Sequence, residues 1–217
     1  MSAGVAASAG RMRFPDVRAP RPRLSSEEEG QLTDRQREIL EQLEELLGRE
    51  GFGGLTMADL AARAGCSLRT LYGIAPSKDQ LVLIAVDRRL RRIGRAALEP
   101  LRASMPPLEA VRRYLRAAHE AVQPTTAVYA RELADTPGAE ELFDSHARYL
   151  TAVTKSLLDR AVAEGEIAPV DTAAVAHVLG GLGLQFARPE LAGRDTGEAR
   201  ATADAMAAIV LRGLERD

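Results

Sequence analysis

Rings are scarce in this chain, which has four Phe, four Tyr and no Trp among 217 residues. β-Sandwiches and barrels draw on aromatic and β-branched side chains; a sequence dominated by Ala, Leu, Arg and Glu favours helix. There is a single cysteine, so no intrachain disulfide can form, which fits a reducing cytoplasm. No apolar run approaches the ~20 residues of a membrane span. The N-terminus carries arginines but no apolar segment behind them, so it does not read as a secretory signal. No nucleophile–base pair, metal-ligand cluster or phosphate loop stands out, and neither an enzyme nor a cofactor is expected. A large charge imbalance is missing as well: the net charge is −2. It is unevenly spread, since residues 1–95 carry a net +3 and residues 96–217 a net −5. A basic front and an acidic back suit a DNA-facing half and a solvent- or ligand-facing half.

The length is enough to bury a core in one large or two small domains, and the spacing of apolar residues predicts an all-α chain. Its most informative stretch is Thr56 to Leu81, TMADLAARAGCSLRTLYGIAPSKDQL. Thr56 followed by Asp59 predicts a capping box, and Leu60, Ala61 and Ala64 continue as an apolar stripe. Gly65 supplies the positive φ that ends the first helix. Ser67 caps a second helix that packs inward through Leu71 and Ile74. Small Ala61 at the crossing, Gly65 in the turn, and Leu60, Ala64, Cys66, Leu71 and Ile74 inside together fit a helix-turn-helix better than an ordinary helical hairpin. The second helix then turns Leu68, Arg69, Thr70 and Tyr72 outward, as a major groove requires. Cys66, at an inward turn position, reads as a small packing residue rather than a redox switch.

Around this stretch, Thr33 and Gln36 cap a bracing helix with a buried stripe of Ile39, Leu40, Leu43, Leu46 and Leu47 and an exposed acidic face of Glu41, Glu44 and Glu45. Gly51 ends it. Residues 1–30 are expected to be disordered, as a basic arm along DNA or a solvated tail. Ser77 with Gln80 opens a fourth helix. Lys78 lies in its first turn, where a cation opposes the helix dipole and a bound phosphate would explain it.

Gly51-Phe52, Thr56, Leu60-Ala61, Ala64-Gly65, Ser67, Thr70-Leu71-Tyr72 and Pro76 to Leu81 together resemble the DNA-binding domain of TetR-like repressors. Two positions depart from that pattern: Ile74 stands where the family has Tyr or His, and Ala75 where it has Phe. The first change removes a phosphate contact and the second removes core volume. The resemblance implies a helix-turn-helix domain over 31–80 and a larger helical effector-binding and dimerisation domain over 81–217. It implies binding of double-stranded operator DNA, with Thr56, Ser67, Leu68, Arg69, Thr70, Tyr72 and Lys78 at the interface. Arg69 is the base reader, because a guanidinium grips guanine bidentately. Thr56, Thr70, Tyr72 and Lys78 hold phosphates, and Leu68 meets a thymine methyl.

Further along, apolar spacing predicts helices from Leu108 to Val122, Thr125 to Ala134, Ala139 to Glu164, Asp171 to Ala187, and from Asp195 onward. In TetR-like proteins the corresponding helices enclose a pocket for a small-molecule effector. Tyr114, His119, Tyr129, Phe143, His146 and Tyr149 are its candidate lining here, against the plainer alternative that the rings only fill the core. No carboxylate or thiol stands at ligand spacing beside His119 and His146, so a metal site has no support. The last two helices, with Leu179-Gly180-Gly181-Leu182-Gly183 in the first of them, resemble a homodimer interface. The sequence therefore reads as a cytoplasmic, ligand-responsive, dimeric repressor of a palindromic operator. The alternative is a dimeric ligand-binding or interaction module that has lost specific DNA binding.

Overall fold

The structure, a computed structural model, describes residues 10–121, 127–186 and 196–215; the side chains of 119–121, 127, 130, 182–186 and 196–200 are not described. Among the described residues ten helices run in the order α1 Ser26–Gln31, α2 Asp34–Glu50, α3 Met57–Arg63, α4 Leu68–Tyr72, α5 Lys78–Leu98, α6 Pro107–Ala121, α7 Ala127–Ala134, α8 Ala139–Ala163, α9 Thr172–Phe186 and α10 Thr196–Leu214. None is long and apolar enough to cross a membrane.

Local chemistry sets the boundaries. Reciprocal capping boxes close the N-termini of α1 (Ser25 and Glu28), α2 (Thr33 and Gln36) and α3 (Thr56 and Asp59), each satisfying N–H groups that a helix start leaves open. At α5, Ser77 accepts from the Gln80 N–H, 3.2 Å, without the reciprocal bond from Gln80. Gly51 ends α2 at φ +78°, a conformation that a side chain would strain.

Two apolar clusters hold the chain together. The first joins α2, α3 and α4 to Leu81–Val86 of α5, Tyr129 and Leu133 of α7, and Ala139 and Leu142 of α8. The second gathers Ala97, Leu101, α6, the C-terminal half of α8, α9 and α10. Helix α5 runs through both. The boundary expected between residues 80 and 81 therefore falls inside a continuous helix, and the first core borrows residues from α7 and α8. Sequence periodicity locates helices but not which core each face joins.

The larger departure is at the N-terminus. Of the arm expected to be disordered over residues 1–30, the described part is folded onto the protein; residues 1–9 lie outside the described residues. Arg11 forms an antiparallel bridge with Arg102, with Met12 N–H donating to Leu101 O, 3.2 Å, and Ala103 N–H to Gly10 O, 2.9 Å. Met12 is buried in the second cluster and Leu24 in the first. Between them the chain crosses α5, where Arg91 donates to Pro20 O and the Arg23 N–H donates to Asp87, 2.9 Å. Arg23 also donates to Gly138 O, 3.1 Å. Of the arginines that suggested an arm for DNA, Arg11 pairs with Glu99 and Arg23 with Gly138 O and Glu141, and α1 follows where no helix was expected.

Candidate nucleic-acid interface and effector cavity

Helix α3 ends at Ala64, and Gly65 turns the chain at φ +59°. The turn closes through Cys66 N–H to Ala61 O, 2.9 Å, and Gly65 N–H to Ala62 O, 3.2 Å, the doubled bond of a glycine-terminated helix. Burial pushes the Cys66 thiol above its ordinary pKa, the opposite of what a reactive cysteine needs. Ser67 then caps α4 by accepting from the Thr70 N–H, 3.1 Å. Leu71 is fully buried and Ile74 nearly so, and these two anchors fix the roll of α4. They leave Leu68 and Tyr72 exposed, at 40% and 52%, with Arg69 exposed beside them. Gly73 lets α4 approach α2: a Cβ there would lie 3.2 Å from the Gln36 amide nitrogen. Arg35 braces the turn, donating to Gly65 O, 3.2 Å. Nothing in the apolar pattern points to Arg35, because the contact spans 30 residues of sequence.

The other candidate DNA contacts are more engaged. The Thr56 hydroxyl donates to Asp59, 2.6 Å, and accepts from the Asp59 N–H, 3.2 Å; the first of these bonds holds the Asp59 carboxyl below the usual range. Ser67 and Thr70 share a hydroxyl contact of 2.7 Å. Lys78 donates to Phe52 O, 3.3 Å, and Gly53 O, 3.2 Å, tying the start of α5 to the loop before α3. That bond is a structural reason for a cation in the first turn, where sequence alone suggested only a phosphate. An ammonium has three donors, so one remains.

Residues 39–84 match the sequence model of the bacterial regulatory proteins of the tetR family. That segment is similar to the N-terminal domain of TetR-family regulators. The matched segment takes in α3, α4, most of α2 and the start of α5, which is the candidate DNA-binding unit. Solved structures similar to this chain include a TetR transcription regulator from Haloarcula marismortui (20% identity, 85% of this chain and 100% of that one, TM-score 0.72). Others are the TetR-family regulator PfmR from Thermus thermophilus (25%, 82% and 99%, TM-score 0.58) and a tetR-family regulatory protein from Rhodococcus RHA1 (17%, 86% and 100%, TM-score 0.63). No curated protein matches the sequence. The likeness accounts for the fold, a helix-turn-helix unit built on a larger helical body.

A cavity of about 420 Å³ opens in that body, within the ~300–1,000 Å³ usual for small-molecule sites. Four of the six candidate lining residues, Tyr114, Phe143, His146 and Tyr149, meet there. Tyr129 does not: it packs edge-on against Phe52 in the first cluster, rings 5.9 Å apart, and burial pushes its hydroxyl pKa up to about 12. The side chain of His119 lies outside the described residues. Sequence reasoning missed the rest of the wall. Ala19, Pro20 and Pro22 come from the N-terminal segment, Glu29 from α1, and Glu41 and Glu44 from α2; Arg88, Arg91, Arg92 and Arg95 come from α5.

Two buried carboxylates stand by this cavity. Asp87 receives the His146 ring nitrogen at 2.9 Å, the Arg23 N–H at 2.9 Å and Arg91 Nε at 3.0 Å. Burial pushes its carboxyl up, but the bonds from His146 and Arg23 and the Arg91 charge outweigh burial and hold it below the usual range. Glu44, expected on the exposed face of α2, is instead 5% exposed. It ion-pairs with Arg92 at 2.7 Å and with Arg88 at 3.5 Å, yet neither oxygen accepts a well-directed hydrogen bond. Burial pushes its pKa up against the pull of the two arginines.

Proposed function

We propose that this chain is a TetR-type transcriptional regulator, a ligand-responsive repressor that binds a palindromic operator as a dimer and leaves it when the cavity is filled. The observation that carries the reading is the division of α4: Leu71 and Ile74 are buried, while Leu68, Arg69 and Tyr72 face solvent on a helix whose roll is thereby fixed. The Arg69 side chain bonds to no described residue and reads a base edge; Thr70 and Tyr72 hold phosphates beside it, and Lys78 adds its remaining donor. The hydroxyl proton of Thr56 is engaged by Asp59, so Thr56 contributes a cap before it contributes a phosphate contact. Ser67 likewise acts first as the cap of α4.

The dimer is read from α9 and α10. Val178, Met206 and Ile209 are exposed at 53%, 43% and 62%. Gly180 packs inward, where a Cβ would lie 3.0 Å from Thr151 Oγ1, whereas Gly181 has nothing within 4 Å. The glycine pair thus serves two surfaces, one against α8 and one left for a second copy. Two copies related by a two-fold axis present two α4 helices to successive major grooves, ~34–36 Å apart. Release follows if the effector binds better to a form with the wrong spacing. A repressor of this kind works where its operator is, in the cytoplasm.

A second reading, a ligand-binding dimer without specific DNA binding, has one observation in its favour: Ile74 is buried and offers nothing to a phosphate. Footprinting on genomic DNA decides. Protection of two symmetric half-sites about one helical turn apart supports the repressor. A protein that shifts no DNA, even random sequence at low salt, is the second kind, because even a weak operator binder leaves a non-specific signal there.

A further inference from the structure

The geometry points to an organic anion as the occupant of the cavity: an apolar, ring-sized body against Tyr114, Phe143 and Tyr149, with an acidic head that takes Arg92 and Arg88 from Glu44. This rests on the reading of the cavity as the effector site and adds the chemical class of the effector.

Three observations carry it. The wall contains four guanidiniums, Arg88, Arg91, Arg92 and Arg95, against three carboxylates, Glu29, Glu41 and Glu44. Arg91 is committed to Asp87 and Pro20 O and Arg88 to Glu29 as well as Glu44, while Arg92 stays half exposed and Arg95 pairs with no described acidic side chain. A cationic ligand approaching Glu44 would have to sit among these guanidiniums; an anion is attracted by them.

The second observation is the state of Glu44. Its carboxylate is 1% exposed and ion-paired at 2.7 Å and 3.5 Å, but both oxygens and Arg88 Nε lack hydrogen-bond partners. A buried ionic group with unmade hydrogen bonds is the part of a site most easily rearranged by a better partner. A carboxylate or sulfonate head presents the flat set of acceptors that a guanidinium fork matches.

The third is position. Glu44 belongs to α2, the bracing helix of the DNA-binding unit, and Arg88 and Arg92 belong to α5, the helix shared by both cores. Drawing the arginines away from Glu44 loosens α2 from α5 at that point. The N-terminal segment adds Ala19, Pro20 and Pro22 to the same wall.

The test uses the full chain and two dyes that share one ring system: 1-anilinonaphthalene-8-sulfonate, and N-phenyl-1-naphthylamine, which lacks the sulfonate. Fluorescence titration should show one sulfonate dye bound per chain, about tenfold tighter than the neutral dye, the factor that one charge-assisted hydrogen bond supplies. Arg92→Gln should remove most of that difference and leave the neutral dye unchanged. Glu44→Gln, which removes the competitor, should tighten the sulfonate dye. If Arg92→Gln melts early, Arg95→Gln, at an exposed position, should still weaken the sulfonate dye alone. Equal affinity for both dyes, or equal losses in the variants, overturns the anion assignment whatever happens to DNA. Operator affinity is measured in parallel. Tight sulfonate binding that leaves operator affinity unchanged keeps the ligand class and overturns the effector reading; release by the sulfonate dye but not by the neutral dye supports both.

Discussion

Asp87 and Glu44 are both buried carboxylates facing arginines of α5, and they behave oppositely. Asp87 accepts from an imidazole, a backbone N–H and a guanidinium, and its pKa falls. Glu44 touches two guanidiniums without a directed hydrogen bond, and its pKa rises. The difference teaches that burial and opposite charge do not by themselves make a stable ion pair; directed hydrogen bonds decide the sign. Asp87 is a latch that pins the N-terminal segment and α8 to α5. Glu44 is a contact held loosely enough to be exchanged. The same division runs through the candidate DNA face, where the Lys78 side chain is engaged by two carbonyls and the Arg69 side chain by no described group.

The largest effect that could break this comparison is at Asp87. Asp87→Ala leaves Arg91, His146 and the Arg23 N–H without their acceptor, and should lower stability by about 3–5 kcal/mol in denaturant unfolding. A loss below about 1 kcal/mol would make Asp87 no better held than Glu44. The pH profile sharpens the point. A carboxyl whose folded pKa is depressed adds stability above its unfolded pKa, and that stability is lost as pH falls through the folded value. Asp87→Asn should therefore flatten the acid limb, below about pH 4.

Next in size, Arg69→Ala should weaken operator binding by about 1–3 kcal/mol and relax one operator position, with stability unchanged. Equal loss on operator and random DNA would move Arg69 to the phosphate set. Lys78→Ala should cost about 1 kcal/mol of stability through the two lost carbonyl bonds. It should also flatten the salt dependence of DNA binding by less than one full phosphate contact. A salt slope that does not move removes Lys78 from the interface and leaves it a purely structural residue. The smallest effect is expected at Glu44: Glu44→Gln should change stability by less than about 1 kcal/mol, because Arg92 is half exposed and Arg88 keeps Glu29. A loss as large as that of Asp87→Ala would abolish the contrast.

The helix-turn-helix was legible because its signals are local. Thr56 and Asp59, Ala61, Gly65 and Ser67 act within one or two turns of themselves, and the inward positions of Leu60, Ala64, Leu71 and Ile74 follow from helical spacing. Helix α1 was equally legible, since Ser25 and Glu28 stand at capping-box spacing, but the prolines and arginines before it drew it into the arm. Glu44 was harder. It lies three and four residues from Leu47 and Leu40, inside the wide buried stripe of α2, and whether such a position is solvated depends on what packs over it. Tyr129 is one of four tyrosines in a helical body, and only its neighbour Phe52 tells that it belongs to the first core.

By itself the sequence determined an all-α chain, the caps and turns that start and stop its helices, and a second helix-turn-helix helix with Arg69 outward, because each of these is settled over a few residues. The tertiary structure alone decided that the N-terminal segment lies across α5, that Tyr129 leaves the cavity group, and that Asp87 is held by hydrogen bonds while Glu44 is not. Those outcomes depend on which groups meet across 44 to 77 residues of sequence, and spacing along the chain carries no record of such meetings.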